Sequence, residues 1–237
     1  MARRPPPHIA VSSMPAPVRP VAMTEDQRAL THMATSLLLD YPDTGFHARA
    51  GQVAAVLPSL PGPVRTALET FLATVAGLDA QDFEKSYVGT FDLKRKCCMY
   101  LSYYATGDTR RRGQALVSFK EAYRAAGWEF DADELPDYLP AVLEFSAVSD
   151  SPVAGQLLAS HREGIEVLRA ALLAMSSPYA GVIEVVCMSL PPITDATRDR
   201  YLALVNDGPP TETVGLTFLG ELQPFASGGA AAQEARR

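Results

Sequence analysis

Five acids, Glu129, Asp131, Asp133, Glu134 and Asp137, fall within nine residues that hold no base. The last two open the stretch ELPDYLPAVLEF, Glu134 to Phe145, in which Pro136 and Pro140 stand four apart. Proline lacks an amide hydrogen and has a fixed φ, so each suits a loop or the first turn of a helix, not its middle. The spacing predicts a stiff helix entrance presenting Glu134, Asp137 and Tyr138. No nucleophile stands nearby, and paired carboxylates alone say little in an acidic protein. The corner therefore suits binding better than bond-making. Acids beside aromatic rings would attract a basic, amphipathic peptide whose apolar side settles on the rings. A solvated acidic loop is the plainer alternative.

The other reactive residue types form no catalytic set. His8, His32, His47 and His161 stand far apart, with no H-x-x-x-H or cysteine–histidine cluster, so no metal is expected. Cys97 and Cys98 are adjacent rather than spaced C-x-x-C, and with Cys187 they make an odd count that suits a reducing cytoplasm. Buried small hydrophobes are one reading of them, a vicinal redox pair the other. Gly107 and Gly113 bracket DTRRR, but the spacing and the following Gln114 miss the P-loop pattern. No G-x-G-x-x-G, G-x-S-x-G or H-E-x-x-H appears. The sequence predicts neither an enzyme nor a bound cofactor.

Lys94, Arg95, Lys96 and Arg110, Arg111, Arg112 set six cations against Asp92 and Asp108. Cations near a helix N-terminus oppose the macrodipole by roughly a few tenths of a kcal/mol. Asp108 is therefore expected to cap that helix and screen Arg110 and Arg112, fixing the loop beside the acidic corner. A solvated surface or contact with an anionic partner group are the alternatives.

The elements that must position these residues are helical. Thr24 and Gln27 form a capping box before Leu30, Met33, Leu37 and Leu38, and Tyr41-Pro42-Asp43 ends the segment. Helices are expected over Phe46–Leu57 and through Val64, Leu68, Phe71, Leu72 and Val75, closing near Gly77. Asp79 caps the next, whose Phe83, Tyr87 and Phe91 share one stripe at i, i+4 spacing, either core or one lining of a peptide groove. A short helix through Met99, Leu101, Tyr103 and Tyr104 follows, then one toward Gly127 burying Ala115, Leu116, Phe119, Tyr123 and Ala126. Val153 to Met175 reads as a single helix, Val182 to Leu190 as helix despite its β-branched residues, and Thr194 to Val205 as the last. The expected fold is an all-α, single multi-helix domain with flexible termini.

At 237 residues, 47% hydrophobic and 20% charged, the chain can bury a sizeable core. A net charge of -6 argues against a general nucleic-acid binder, and no apolar run approaches the roughly 20 residues that cross a bilayer. Arg3-Arg4 invites an export reading, but prolines replace the apolar run a signal needs. Residues 1–23 are expected to be a disordered proline-rich lead, 24–206 the helical domain and 207–237 a weakly ordered tail. Met14 or Met23 could be the true start.

The segment from Tyr87 to Phe145 resembles the centre of NarJ-type nitrate reductase assembly chaperones, a group related to the TorD and DmsD proteins. The resemblance rests on the aromatic-x-x-x-Phe-Asp start at Tyr87, the Gly107-Asp108-Thr109-Arg110 turn with its following Arg112-Gly113, and the Glu-Leu-Pro-Asp-x-Leu-Pro corner at Glu134. It implies an all-helical cytoplasmic chaperone that binds the N-terminal peptide of the nitrate reductase catalytic subunit. Such a chaperone keeps that subunit competent for molybdenum cofactor insertion and has no stable place in the mature enzyme. Glu134, Pro136, Asp137 and Tyr138 map onto the peptide-recognition corner. Many members carry histidine where Tyr138 stands, which leaves this residue a stacking or hydrogen-bonding role. Tyr87, Phe91, Tyr100 and Tyr104 are expected as apolar contacts, with Asp108, Arg110 and Arg112 supporting the loop. No site residue is carried over from the C-terminal TVGLTFLGELQPF. Two readings compete: a redox-responsive regulator using Cys97-Cys98, and, more weakly, a nucleotide hydrolase built on the glycine-bracketed arginines.

Overall fold

The capping box forms as its spacing predicts: the Gln27 amide donates to Thr24 Oγ1 and the Thr24 amide to Gln27 Oε1, at 3.2 and 3.1 Å. It starts α1 (Glu25–Leu39) in a computed structural model that describes residues 15–192. Within the described residues there are ten α-helices and no strand. After α1 come α2 (Phe46–Val56), α3 (Gly62–Val75), α4 (Ala80–Phe91), α5 (Leu101–Thr106) and α6 (Arg111–Ala125). Then follow α7 (Leu139–Val148), α8 (Pro152–Ser160), α9 (Arg162–Ala174) and α10 (Tyr179–Ser189). Asp79 caps α4 by accepting the Gln81 and Asp82 amides, as expected. The expected helix Thr194–Val205 and the tail from 207 lie outside the described residues.

The core forms where α1 packs on α7 and α10, and α10 on α3 and α9. The run from Val182 to Leu190 is helical because nearly every side chain of α10 is buried, so β-branched residues are welcome on all its faces. Tyr179 sits in a cage of Phe71, Phe83, Tyr87 and Phe91, with ring centroids 5.0–6.0 Å apart. Fully burying one such ring contributes about 1.5–3 kcal/mol.

The single helix expected over Val153–Met175 is two. His161 leaves helical geometry at φ −105° and ψ 12°, and its amide bonds the Leu158 carbonyl as α8 closes. The turn lets α9 bury polar side chains as well as Ile165, Leu168 and Leu172: Arg162, Glu166 and Arg169 are 2%, 0% and 4% exposed. Their partner is the proline-rich lead. The lead expected to be disordered to residue 23 is held from Pro15 onward as a non-helical strap, with Val18 and Met23 against the core.

His32 on α1 is also buried, between Ser146 of α7 (Nδ1–Oγ 3.0 Å) and Ser189 of α10 (Nε2–Oγ 2.8 Å). Ser189 donates its hydroxyl hydrogen to the Val186 carbonyl, so it accepts from the imidazole and the proton resides on Nε2. Burial, with the Arg28 charge second, lowers the His32 pKa from 6.5 to about 4. Between these values the unfolded chain binds a proton that the folded chain does not. Stability is therefore expected to be complete above pH 6.5 and to decline toward pH 4, by on the order of 3 kcal/mol from this residue. Thermal melts from pH 7 to 4 check it: the slope should shrink in His32→Gln, and an unchanged slope contradicts the assignment.

Candidate functional site

The acidic corner is tied to the segment before α5 by a two-residue antiparallel bridge between Tyr100 and Tyr138. The Leu101 amide donates to the Asp137 carbonyl at 2.9 Å and the Leu139 amide to the Met99 carbonyl at 2.8 Å. The two prolines act as their chemistry dictates. Pro140 lies in the first turn of α7 behind the N-cap Tyr138, and Pro136, buried in the loop, accepts the Tyr123 hydroxyl on its carbonyl.

Asp137 is fully buried, and its Oδ2 accepts the Ser102 hydroxyl at 2.6 Å and the Ser102 amide at 3.1 Å. It locks the corner onto α5 and offers no charge to solvent in this conformation. Glu134 is exposed; its Oε1 accepts from Tyr100 Oη at 3.0 Å and from the Leu135 amide.

A ladder of tyrosines runs inward from Glu134. The Tyr100 and Tyr138 rings lie 5.6 Å apart, and Tyr138 Oη is 3.1 Å from Tyr87 Oη. Tyr87 donates to the Leu39 carbonyl at 2.9 Å, so Tyr138 is the donor between them. Tyr41, 42% exposed, meets Tyr87 edge-on at 5.4 Å. The surface members are Tyr41, Tyr100 and Tyr138, with Tyr87 beneath. Burial pushes the Tyr138 phenol up to about 12, and the charges of Asp40, Glu134 and Asp92 add to the rise while the Tyr87 hydrogen bond opposes it. Those three acids are exposed, and their charges reach the Tyr138 ring.

Phe91 and Tyr104 stand apart from this face. Phe91 belongs to the cage around Tyr179. Tyr104 is clamped between α9 and the cysteine turn: its hydroxyl donates to the Cys98 carbonyl at 2.7 Å, and a Cβ on Gly164 would meet its ring at 2.6 Å. Only glycine permits that approach. Both residues support the corner from within the core.

Asp108 does not cap α6. Arg110 occupies the N-cap with helical φ and ψ, and Thr109 Oγ1 accepts the Arg111 amide instead. Asp108 pairs with Arg112 at 3.6 Å and approaches Arg95 at 3.9 Å. Arg112 also lies over the Tyr100 ring, 5.4 Å from its centroid, so the basic loop buttresses the tyrosine wall. Cys97 is buried, and burial pushes the Cys98 thiol up to about 11. Both effects run opposite to what an activated thiol needs. Among the described residues, no group of three His, Cys, Asp or Glu could hold a metal, and no helix is long and apolar enough to cross a membrane.

On the other side of Glu134, α6 and the acidic loop enclose a cleft of about 240 Å³. Leu116, Val117, Phe130 and Leu135 supply its apolar lining, with Lys120 and Glu134 at the edges. Sequence reasoning missed this cleft, although Val117, off the buried stripe of α6, was a visible signal. It also missed Asp40, read Tyr41 only as part of a helix end and read Asp92 only as an acid set against the basic triplets.

Residues 57–184 match the family described as nitrate reductase delta subunit. The chain belongs to that family. Among its relatives, the nitrate reductase-like protein NarX of Mycobacterium tuberculosis is 34% identical over 152 residues, which are 64% of this chain and 23% of NarX. The chain thus spans less than a quarter of that relative's length. The probable nitrate reductase molybdenum cofactor assembly chaperone NarJ of Bacillus subtilis is 31% identical over 169 residues, 71% of this chain and 92% of NarJ. NarJ of Escherichia coli K12, named as the same kind of chaperone, is 31% identical over 148 residues, 61% of this chain and 63% of its own.

Proposed function

We propose that this delta-subunit family member is a nitrate reductase assembly chaperone, not an enzyme. It binds the N-terminal segment of the catalytic subunit in the cytoplasm, keeps that subunit competent for molybdenum cofactor insertion, and leaves before the mature enzyme works. The names of the NarJ relatives support the chaperone role. The observation that carries the peptide reading is the acid-rimmed tyrosine face. Asp40 and Asp92 terminate α1 and α4, where a negative charge opposes the helix dipole. Acids placed at that cost around half-exposed tyrosines suit a basic partner. Tyr41, Tyr100 and Tyr138 provide stacking surface, Glu134, Asp40 and Asp92 the charge, and the cleft beside Glu134 takes the apolar side of an amphipathic segment. Tyr87, Phe91, Tyr104, Pro136 and Asp137 hold this surface in shape, while Asp108, Arg110 and Arg112 fix the adjoining loop.

Affinity purification of the full chain from nitrate-respiring cells tests the role. The expected companion is the nitrate reductase catalytic subunit in a form lacking molybdenum, identified by mass spectrometry and metal analysis. Recovery of only the metal-loaded, mature enzyme would count against a chaperone that acts before insertion.

A further inference from the structure

The strap's hydrogen bonds to α9 and α10 run through its backbone. Arg169 Nη2 donates to the Ala16 carbonyl at 2.6 Å and Arg162 Nη2 to the Val18 carbonyl at 2.6 Å, while the Val18 amide donates to Glu166 Oε1 at 3.0 Å. Further on, the Val21 amide donates to the Met188 carbonyl at 2.9 Å. The arms that hold it are oriented by other bonds. Arg162 Nη1 donates to the Leu190 and Pro191 carbonyls beyond α10, and Arg169 Nε donates to Glu166 Oε2 at 2.9 Å. Pro15, Pro17 and Pro20 bring no amide that needs an acceptor. The half-buried Val18 and Val21 are three apart, the repeat of a polyproline-type helix.

We infer that the buried Arg162–Glu166–Arg169 face of α9 is a peptide-backbone site, filled in cis by residues 16–21, that accepts a separate proline-spaced, non-helical peptide when the strap is withdrawn. Backbone recognition makes the site tolerant of side-chain identity, and the aliphatic pair three residues apart sets its register. Two guanidiniums share one carboxylate, so the strap's carbonyls accept from the N–H groups that Glu166 leaves over, and buried donors without an acceptor are costly. This site lies on α9 and α10, apart from the acidic corner, and does not depend on the chaperone reading.

The test uses a fluorescein-labelled peptide of residues 15–24, PAPVRPVAMT, titrated by anisotropy into the full chain and its Val18→Pro variant. The variant lacks the amide that meets Glu166, so its own strap competes poorly. The peptide should bind it at least about tenfold more tightly than it binds the wild type, and N-methylation of the peptide's Val18 amide should abolish the gain. Equal binding to both chains, no binding to a folded variant, or indifference to the N-methyl group overturns the inference. Val21→Pro, which removes the bond to Met188, repeats the experiment should Val18→Pro fail to fold. Hydrogen exchange on the wild type decides independently of either variant. Val18 and Val21 amides that open together ahead of α9 support a separable strap, and opening only with global unfolding overturns it.

Discussion

Replacing Glu166 by alanine is expected to destabilise the fold by about 3–5 kcal/mol, the cost of leaving buried charges without their partner. Both guanidiniums pair with the Glu166 carboxylate: Arg162 Nη2 lies 3.2 Å from Oε1 and Arg169 Nε 2.9 Å from Oε2. Its loss also orphans the Val18 amide. The effect should change little with salt, since screening barely reaches buried pairs. Denaturant unfolding at neutral pH measures it, and Glu166→Gln should fall between wild type and alanine because it keeps the acceptor oxygen without the charge. A Glu166→Ala loss below about 1 kcal/mol would show that the triad is not holding strap and helix together.

Reversing the rim of the tyrosine face is expected to act on binding and to spare the fold. The variant Asp40→Lys/Asp92→Lys/Glu134→Lys changes three exposed acids, and two of the lysines arrive at helix C-termini where a cation is favoured. Three exposed attractions removed and reversed should weaken a basic peptide by about 1.4–2.8 kcal/mol, roughly ten- to hundredfold. The difference should shrink as salt rises toward 0.5 M, roughly where the Debye length falls below half its value at 0.1 M. Asp137 is left out of the set. It is buried on Ser102, so reversing it would break the corner and confuse loss of binding with loss of structure.

The helices were legible because the signals that start and stop them are local. Thr24–Gln27, Asp79 and the paired prolines Pro136 and Pro140 all act within a turn or two of themselves. The break at His161 was not legible, since the apolar spacing runs across it; there Ser160 Oγ and His161 Nδ1 both meet the Leu157 carbonyl, which a continuing helix would offer to the His161 amide. The same limit governs the corner. Its acids and tyrosines were visible as types, but Asp137 and Glu134, three residues apart, face opposite environments because one meets Ser102 and the other meets water. Asp40, Tyr41 and Asp92 join the face through packing of α1 and α4 beside Tyr138, a proximity that no spacing in the chain encodes.

Isothermal titration of a synthetic peptide copying the N-terminus of the nitrate reductase catalytic subunit, into the folded wild type and the triple lysine variant, tests the central claim most directly. The account predicts saturable binding to the wild type and at least tenfold weaker, less salt-sensitive binding to the variant. Equal affinity for both proteins, with the variant's melting transition intact, would contradict it.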